Sequence, residues 1–296
     1  MISKAYLEGQ NQMLGTLRTL AEAYEQISVI RIQRVRGSVL TTRDFLDGLA
    51  DIFKDVKQSY RDEVEQLLKK HKNSKESLSG LQKNGKTIAI LLSSNNKLYG
   101  DIVFRVFNLF IQDVRKNNYD VVIIGKVGKA MFDQQGLQKD YLYFDMPDED
   151  AKLSDIAPVI KKIEQYQKIF VYYGRFLNIV SQEPAISEVL GDGSLLDKPL
   201  VGGDEKEKHT PFFFEPSLKK ILAFFETQMF SSVLKQVVDE SELSRLASRI
   251  KSMEDSLGTI EKEQEQLHKT ELRAKRMIEN SKQLQRLSGI ALWQHR

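Results

Sequence analysis

The sequence predicts an α/β chain in which two long helices, one towards each end, pair as an antiparallel coiled coil around an inserted domain of about five strands. Three observations predict it. Apolar positions recur every three or four residues towards both ends, and the middle switches to short runs of branched apolar residues. With 29% charged residues and only 6 prolines in 296, the composition suits long, exposed helix.

The first helix is read from Val35. Apolar or small residues step onward by four and three through Val39, Thr42, Leu46, Leu49, Phe53, Val56, Tyr60, Val64 and Leu67. A 3.5-residue period held this long marks a coiled-coil seam rather than a one-sided surface helix. Leu14, Leu17, Tyr24 and Ile27 extend the helical pattern upstream. The polar, glycine-punctuated stretch His71–Gly85 ends it. Residues 1–75 are therefore assigned to an N-terminal coiled-coil helix.

In the middle, Thr87–Leu92 (TIAILL) and Val121–Ile124 (VVII) have the continuous apolar character of strands covered on both faces. An amphipathic stretch, Leu98–Asn117, lies between them, and strand–helix–strand implies a parallel pair. Further strand candidates are Tyr141–Phe144, Lys168–Tyr173 and Asn178–Gln182. Helical segments near Ala130 and over Ser154–Gln165 separate them, and Gly191–His209 is expected as a surface loop. Residues 86–214 are thus assigned to an inserted, Rossmann-like α/β domain.

The second long helix is expected to open at Pro216-Ser217 and to occupy residues 215–296. Its heptad positions are Leu243, Leu246, Ile250, Met253, Leu257, Ile260, Gln264 and Leu267. At 1.5 Å per residue this helix reaches about 110 Å and the first about 90 Å, so the longer one should overhang. From periodicity alone, a coiled-coil adaptor or tether with an α/β interaction domain fits as well.

Composition excludes several classes. There is no cysteine, so disulfides, cysteine metal sites and cysteine nucleophiles are ruled out. A net charge of +3 is too small for a nucleic-acid partner, which needs a concentrated basic surface. No apolar run approaches the roughly 18–20 residues that span a bilayer. Met1–Gln12 lacks the apolar core of a signal peptide, so a soluble cytoplasmic protein is expected.

Candidate chemistry is sparse. GKVGK (Gly125–Lys129) lacks P-loop spacing, its lysine being followed by Ala130, and reads better as a tight strand-to-helix turn. The acidic run Asp145–Asp155 has no ordered metal-ligand positions and is expected as a solvated loop. His71, His209, His268 and His295 share no metal-ligand spacing. No Ser/His/Asp arrangement is recognisable, so neither a catalytic site nor a bound cofactor or metal is expected. The cluster Arg31, Arg34, Arg36 and Arg43 has two readings: a solvated helix face, or cations that meet a partner's acidic loops. Leu287–Trp293 (LSGIALW) would place apolar groups on an unpaired helix end.

Several of these stretches, taken in order, resemble the γ subunit of F-type ATP synthases. The family opens with a helix rich in arginine and lysine, where this chain has Arg31, Arg34 and Arg36. Its Ser-Asp-x-Gly-Leu-x-Gly turn after the first strand is matched by Ser94, Leu98 and Gly100, with Asn95 and Lys97 departing from it. IGKVG (Ile124–Gly128) is similar to the turn after the family's second strand, and FEPS (Phe214–Ser217) to the opening of its last helix. Glu240–Leu257 resembles its Ser-Glu-x-x-Ala-Arg-x-x-Ala-Met segment, with Arg249 and Met253 on the Arg and Met. Towards the end Arg276, Ser281 and Ser288-Gly289 match, whereas Met277 and Gln283 depart.

The resemblance implies a non-catalytic central rotor shaft. It would sit in a hexamer of α- and β-type subunits and dock an ε-type subunit and a membrane c-ring through the inserted domain. It implies a place at the inner face of the cell membrane, without a span of its own. Arg31, Arg34, Arg36, Arg249 and Arg276 would face the hexamer, and Leu287, Ile290, Leu292 and Trp293 would form an apical bearing.

Overall fold

The computed structural model describes residues 4–59, 83–190 and 217–294. Their elements are α1 (Lys4–Ser59), β1 (Thr87–Leu92), α2 (Ile102–Lys116), β2 (Asp120–Ile124), α3 (Lys126–Asp133), β3 (Tyr141–Phe144), α4 (Leu153–Ile163), β4 (Lys168–Phe176), β5 (Gln182–Leu190) and α5 (Leu218–Gln294). The chain is the α/β architecture read from the sequence, with a five-stranded, mainly parallel sheet and a long last helix. Tyr60, Val64 and Leu67 of the seam, most of the linker after His71, the Gly191–His209 loop and Phe214–Pro216 lie outside the described residues. By its contacts the chain divides into two units, Val29–Arg249 and Met1–Ser28 with Ile250–Arg296.

In the larger unit the strand order is β3-β2-β1-β4-β5. β1 pairs in parallel with β2 (Ile88↔Asp120 to Leu92↔Ile124) and with β4 (Thr87↔Lys168 to Leu91↔Tyr172), and β2 with β3. Alternate residues feed two cores, as the period of two demands. Ile88, Ile90, Leu92, Val122, Ile124, Ile169 and Val171 pack with Ile156, Val159 and Ile163 of α4 and with Phe230, Leu234, Val237 and Val238 of α5. Ala89, Leu91, Val121, Ile123 and Tyr172 pack with Ile102, Val106, Phe107 and Phe110 of α2 and Phe132 of α3. The chain crosses over twice in one direction and then back past β1. Right-handed connections then place α2 and α3 on one face and α4 on the other.

β5 differs from expectation. Asn178–Gln182 is the tip of a hairpin, where the Asn178 side chain accepts from the amides of Val180 (3.0 Å) and Ser181 (2.8 Å). The strand follows it, antiparallel to β4, with Pro184 opposite Gly174. A proline suppresses a strand reading, yet an edge strand tolerates one because its outer side needs no donor.

The α1 seam falls where the heptad places it. Val35, Leu49, Phe53 and Val56 are buried, and Val39, Thr42 and Leu46 are half-buried. Within the larger unit Leu49, Phe53 and Val56 interlock with Leu222, Phe225 and Met229 of α5, and Phe53 meets Phe225 edge-on at 5.5 Å. Ser38, fifteen residues earlier than Phe53, donates to Asp239, fourteen later than Phe225, so the two helices run antiparallel.

In the smaller unit the buried face of α1 is Leu7, Leu14, Ala21 and Ser28, which prolongs the same seven-residue period. Leu17 and Ile27, expected on the helical stripe, are exposed. These two large side chains lie off the seam, which the small Ala21 and Ser28 hold after Leu7 and Leu14. On the other helix of this unit Met253 and Ile260 are buried, and Arg18 bonds Glu261 at 3.2 Å. Among the described residues no helix is long and apolar enough to cross a membrane.

Candidate functional site: a polar clasp at the strand ends

In a doubly wound sheet a ligand usually sits beyond the carboxyl ends of the strands, where the strand order reverses. Here that point lies between β1 and β4, and α5 fills it. All residues from Ser241 to Arg249 are buried, so the helix is covered on every side at this level. Glycine makes the close approach possible. A Cβ at Gly174, in β4, would lie 2.6 Å from Ser244 Oγ. At Gly100 (φ 61°) it would lie 2.7 Å from the Ser248 carbonyl.

Polar groups then lock three segments together. Arg245 donates to the Ser93 carbonyl (3.2 Å) at the end of β1, to Ser241 Oγ (3.0 Å) and to the Asp148 carbonyl (2.8 Å). Arg249 donates to the Leu98 carbonyl (2.8 Å) and stacks 3.9 Å from the centre of the buried Tyr99 ring. Burial pushes the Tyr99 hydroxyl upward in pKa, opposed by the neighbouring Arg249 charge, so it stays a neutral donor. That hydroxyl reaches Glu149 at 3.3 Å.

The loop after β3 supplies the acceptors. Asp148 takes the amides of Asn95 (2.6 Å) and Asn96 (3.0 Å). Glu149 pairs with Arg31 of α1 and lies 3.6 Å from Arg249. Asp150, at φ 52°, pairs with Arg34 at 3.3 Å and turns its amide to both oxygens of Glu242 at 3.2 Å. Burial pushes Glu242 up to about 7, with the Asp150 amide and Arg245 pulling the other way. Asp239, bonded to Ser38 and Lys235, is also raised by burial. The acidic run is therefore a fastening, not the solvated loop expected of it. Its carboxylates serve internal donors, and the described residues hold no group able to take a metal ion.

The GKVGK turn is a strand-to-helix turn whose amides are already used. Gly125 N–H goes to the Phe144 carbonyl (3.2 Å), Lys126 N–H to Asn95 Oδ1 (3.0 Å) and Val127 N–H to the Ser94 carbonyl (2.8 Å). A phosphate would have to displace these bonds. Asn95 also donates to Asp145 (2.9 Å) and to the Met146 carbonyl (2.9 Å). An aspartate there could accept but not donate.

Of the residues expected at a partner surface, Arg34, Arg36 and Arg276 are exposed and Arg31 is partly exposed, with Arg31 and Arg34 paired within the chain. Arg249, only 4% exposed, points inward, which corrects the expectation that it faces a partner. Leu287 is exposed on α5, and the side chains of Ile290, Leu292 and Trp293 lie outside the described residues, although the helix runs past them. Met277 is exposed, and nothing in the structure explains it. Sequence reasoning missed Ser241, Ser244, Arg245 and Ser248. The small residues at 241, 244 and 248 were the available signal, one helical face cleared for close approach.

The profile of the ATP synthase family matches residues 7–276. The chain belongs to the ATP synthase γ-chain family. Curated γ chains are similar at low identity. That of Staphylococcus epidermidis is 19% identical over 270 residues, 86% of this chain and 87% of that one. That of Staphylococcus carnosus is 24% identical over 181 residues, and the match spans 60% of its length. Among solved structures, a chain of the central stalk and c-ring of the Tetrahymena thermophila mitochondrial ATP synthase shares the fold. Its TM-score is 0.54 at 15% identity, over 80% of this chain and 98% of that one. The clasp thus lies in a γ-type fold whose strand-end crevice is closed by its own last helix.

Proposed function

We propose that this chain is the central shaft of a rotary F-type ATPase, transmitting torque between a catalytic hexamer and a membrane ion-translocating ring. The observation that carries the reading is the γ-family match across both long helices and the sheet domain together. An antiparallel, interlocked helix pair resists bending and twisting because its seam is continuously packed.

The division into residues 1–75, 86–214 and 215–296 assigns the helices to the shaft and the insert to the foot. In this reading the shaft stands in a hexamer of α- and β-type subunits, and the foot docks an ε-type subunit and the c-ring. The whole is peripheral on the inner, cytoplasmic face of the cell membrane. Arg36 and Arg276, with Arg31 and Arg34 shared between Glu149, Asp150 and the partners, face the hexamer. Leu287, Ile290, Leu292 and Trp293 form the bearing. Shaft angle then acts as an effector: each angle offers each catalytic subunit different contacts and so biases it between open and closed states. ATP and its magnesium ion belong to the partners, and this chain makes and breaks no bonds.

The test is reconstitution with catalytic α- and β-type subunits. A bead fixed to a cysteine placed at Gln138, in a chain that has none of its own, should turn during ATP hydrolysis. A static bead on a hydrolysing complex overturns the reading.

A further inference from the structure

We propose that the Glu149–Asp150 pair is the torque coupling between foot and shaft, with Glu149 as its hub; this rests on the central-shaft reading above. Torque between a sheet domain and two helices needs contacts that resist sliding and rotation. Apolar packing is non-directional and resists sliding weakly. Charge-assisted hydrogen bonds are directional and strong.

The loop after β3 concentrates such bonds, and one further ion pair, on two adjacent residues. Glu149 pairs with Arg31 on α1 and Arg249 on α5 and takes the Tyr99 hydroxyl from the turn after β1. Asp150 pairs with Arg34 on α1 and gives its amide to Glu242 on α5. Two neighbouring residues of the sheet domain thus each grip both helices. Asp150 is the one non-glycine with positive φ among the described residues. An L-residue in that region is a local cost, tolerated best by Asn and Asp, and it persists where the surroundings hold it. Here it aims the Asp150 amide at α5 while the side chains of both residues reach α1. Turning the foot relative to α1 or α5 must therefore pull on Glu149.

The pair is positioning machinery. Removing it should loosen the joint without halting hydrolysis, which occurs elsewhere. In the reconstituted complex, the bead on Q138C reports the angular fluctuation of the foot during each catalytic dwell. Glu149→Ala should at least double the variance of that angle, with Glu149→Gln in between. ATP hydrolysis should stay within about twofold, while the urea midpoint of the isolated chain should fall, because the buried Arg249 loses its carboxylate. Raising salt should widen the wild-type fluctuation more than that of Glu149→Ala, which keeps only the exposed Arg34–Asp150 pair to screen. If Glu149→Ala does not assemble, Glu149→Gln is read alone against wild type. Equal variance in wild type and variant, at equal salt, overturns the assignment. A wild-type bead that never turns overturns the central-shaft reading instead, and this assignment with it.

Discussion

Two stretches of α5, about twenty residues apart, are held by opposite chemistry. Leu222, Phe225 and Met229 bury apolar side chains against Leu49, Phe53 and Val56. Ser241 to Arg249 bury two arginines, a glutamate and three serines against carbonyls and carboxylates of the sheet domain. The first arrangement tolerates change of shape at constant volume, because dispersion and burial have little angular preference. The second allows almost none, since a buried polar group without its partner loses its hydration and receives nothing in return. One stretch glues the helices together, and the other fixes their rotation relative to the sheet.

The sharpest way to break this contrast is Arg245→Lys, which keeps the charge and removes the fork. A single ammonium cannot serve the Ser93 and Asp148 carbonyls and Ser241 together. We expect a loss of about 3 kcal/mol in urea denaturation, read as a lower midpoint at unchanged slope.

Glu242→Gln probes the same stretch by pH. The folded-state pKa of Glu242 is raised to about 7 from 4.5, so the folded protein holds a proton there that the unfolded chain releases. Stability from this group is therefore greatest below about 4.5 and falls as pH rises towards about 7. Glutamine keeps an acceptor for the Asp150 amide and never ionises. It should gain roughly 2 kcal/mol over wild type at pH 8 and nothing near pH 4. A pH-independent difference between the two chains sinks this account.

At the apolar stretch, Phe53→Leu should cost only about 1 kcal/mol, as a hydrophobic swap in a cluster that can repack. A loss as large as that of Arg245→Lys erases the distinction between glue and lock.

The sequence showed the regular parts well, because they rest on local period. β1 and β3 lie where their branched or aromatic runs place them, and the seam from Val35 to Val56 is buried on its heptad. Upstream, large residues misled: Leu17 and Ile27 face solvent, while Ala21 and Ser28, too small to register as apolar, line the seam. β5 was hidden by Pro184. The clasp was hidden for a different reason. Its partners lie far apart in the chain, Arg245 and Ser93 being 152 residues distant, and hydrophilic side chains on a long helix look like a wetted face. The heptad marked Leu243, Leu246 and Ile250 of that stretch but none of its polar residues, and the resemblance of Glu240–Leu257 to the γ family placed Arg249 at a partner surface rather than under Tyr99.

Because α5 stops the mouth of its own sheet, the protein also has an order of birth. While the chain emerges from the ribosome, the strands can pair as soon as β5 is made, but the crevice and the face later covered by Phe230, Leu234, Val237 and Val238 stay bare. They remain so until Arg249 has left the exit tunnel. At ordinary elongation speeds that is an interval of several seconds. For that interval the nascent domain is a socket awaiting its plug and shows chaperones a surface that the finished molecule never displays.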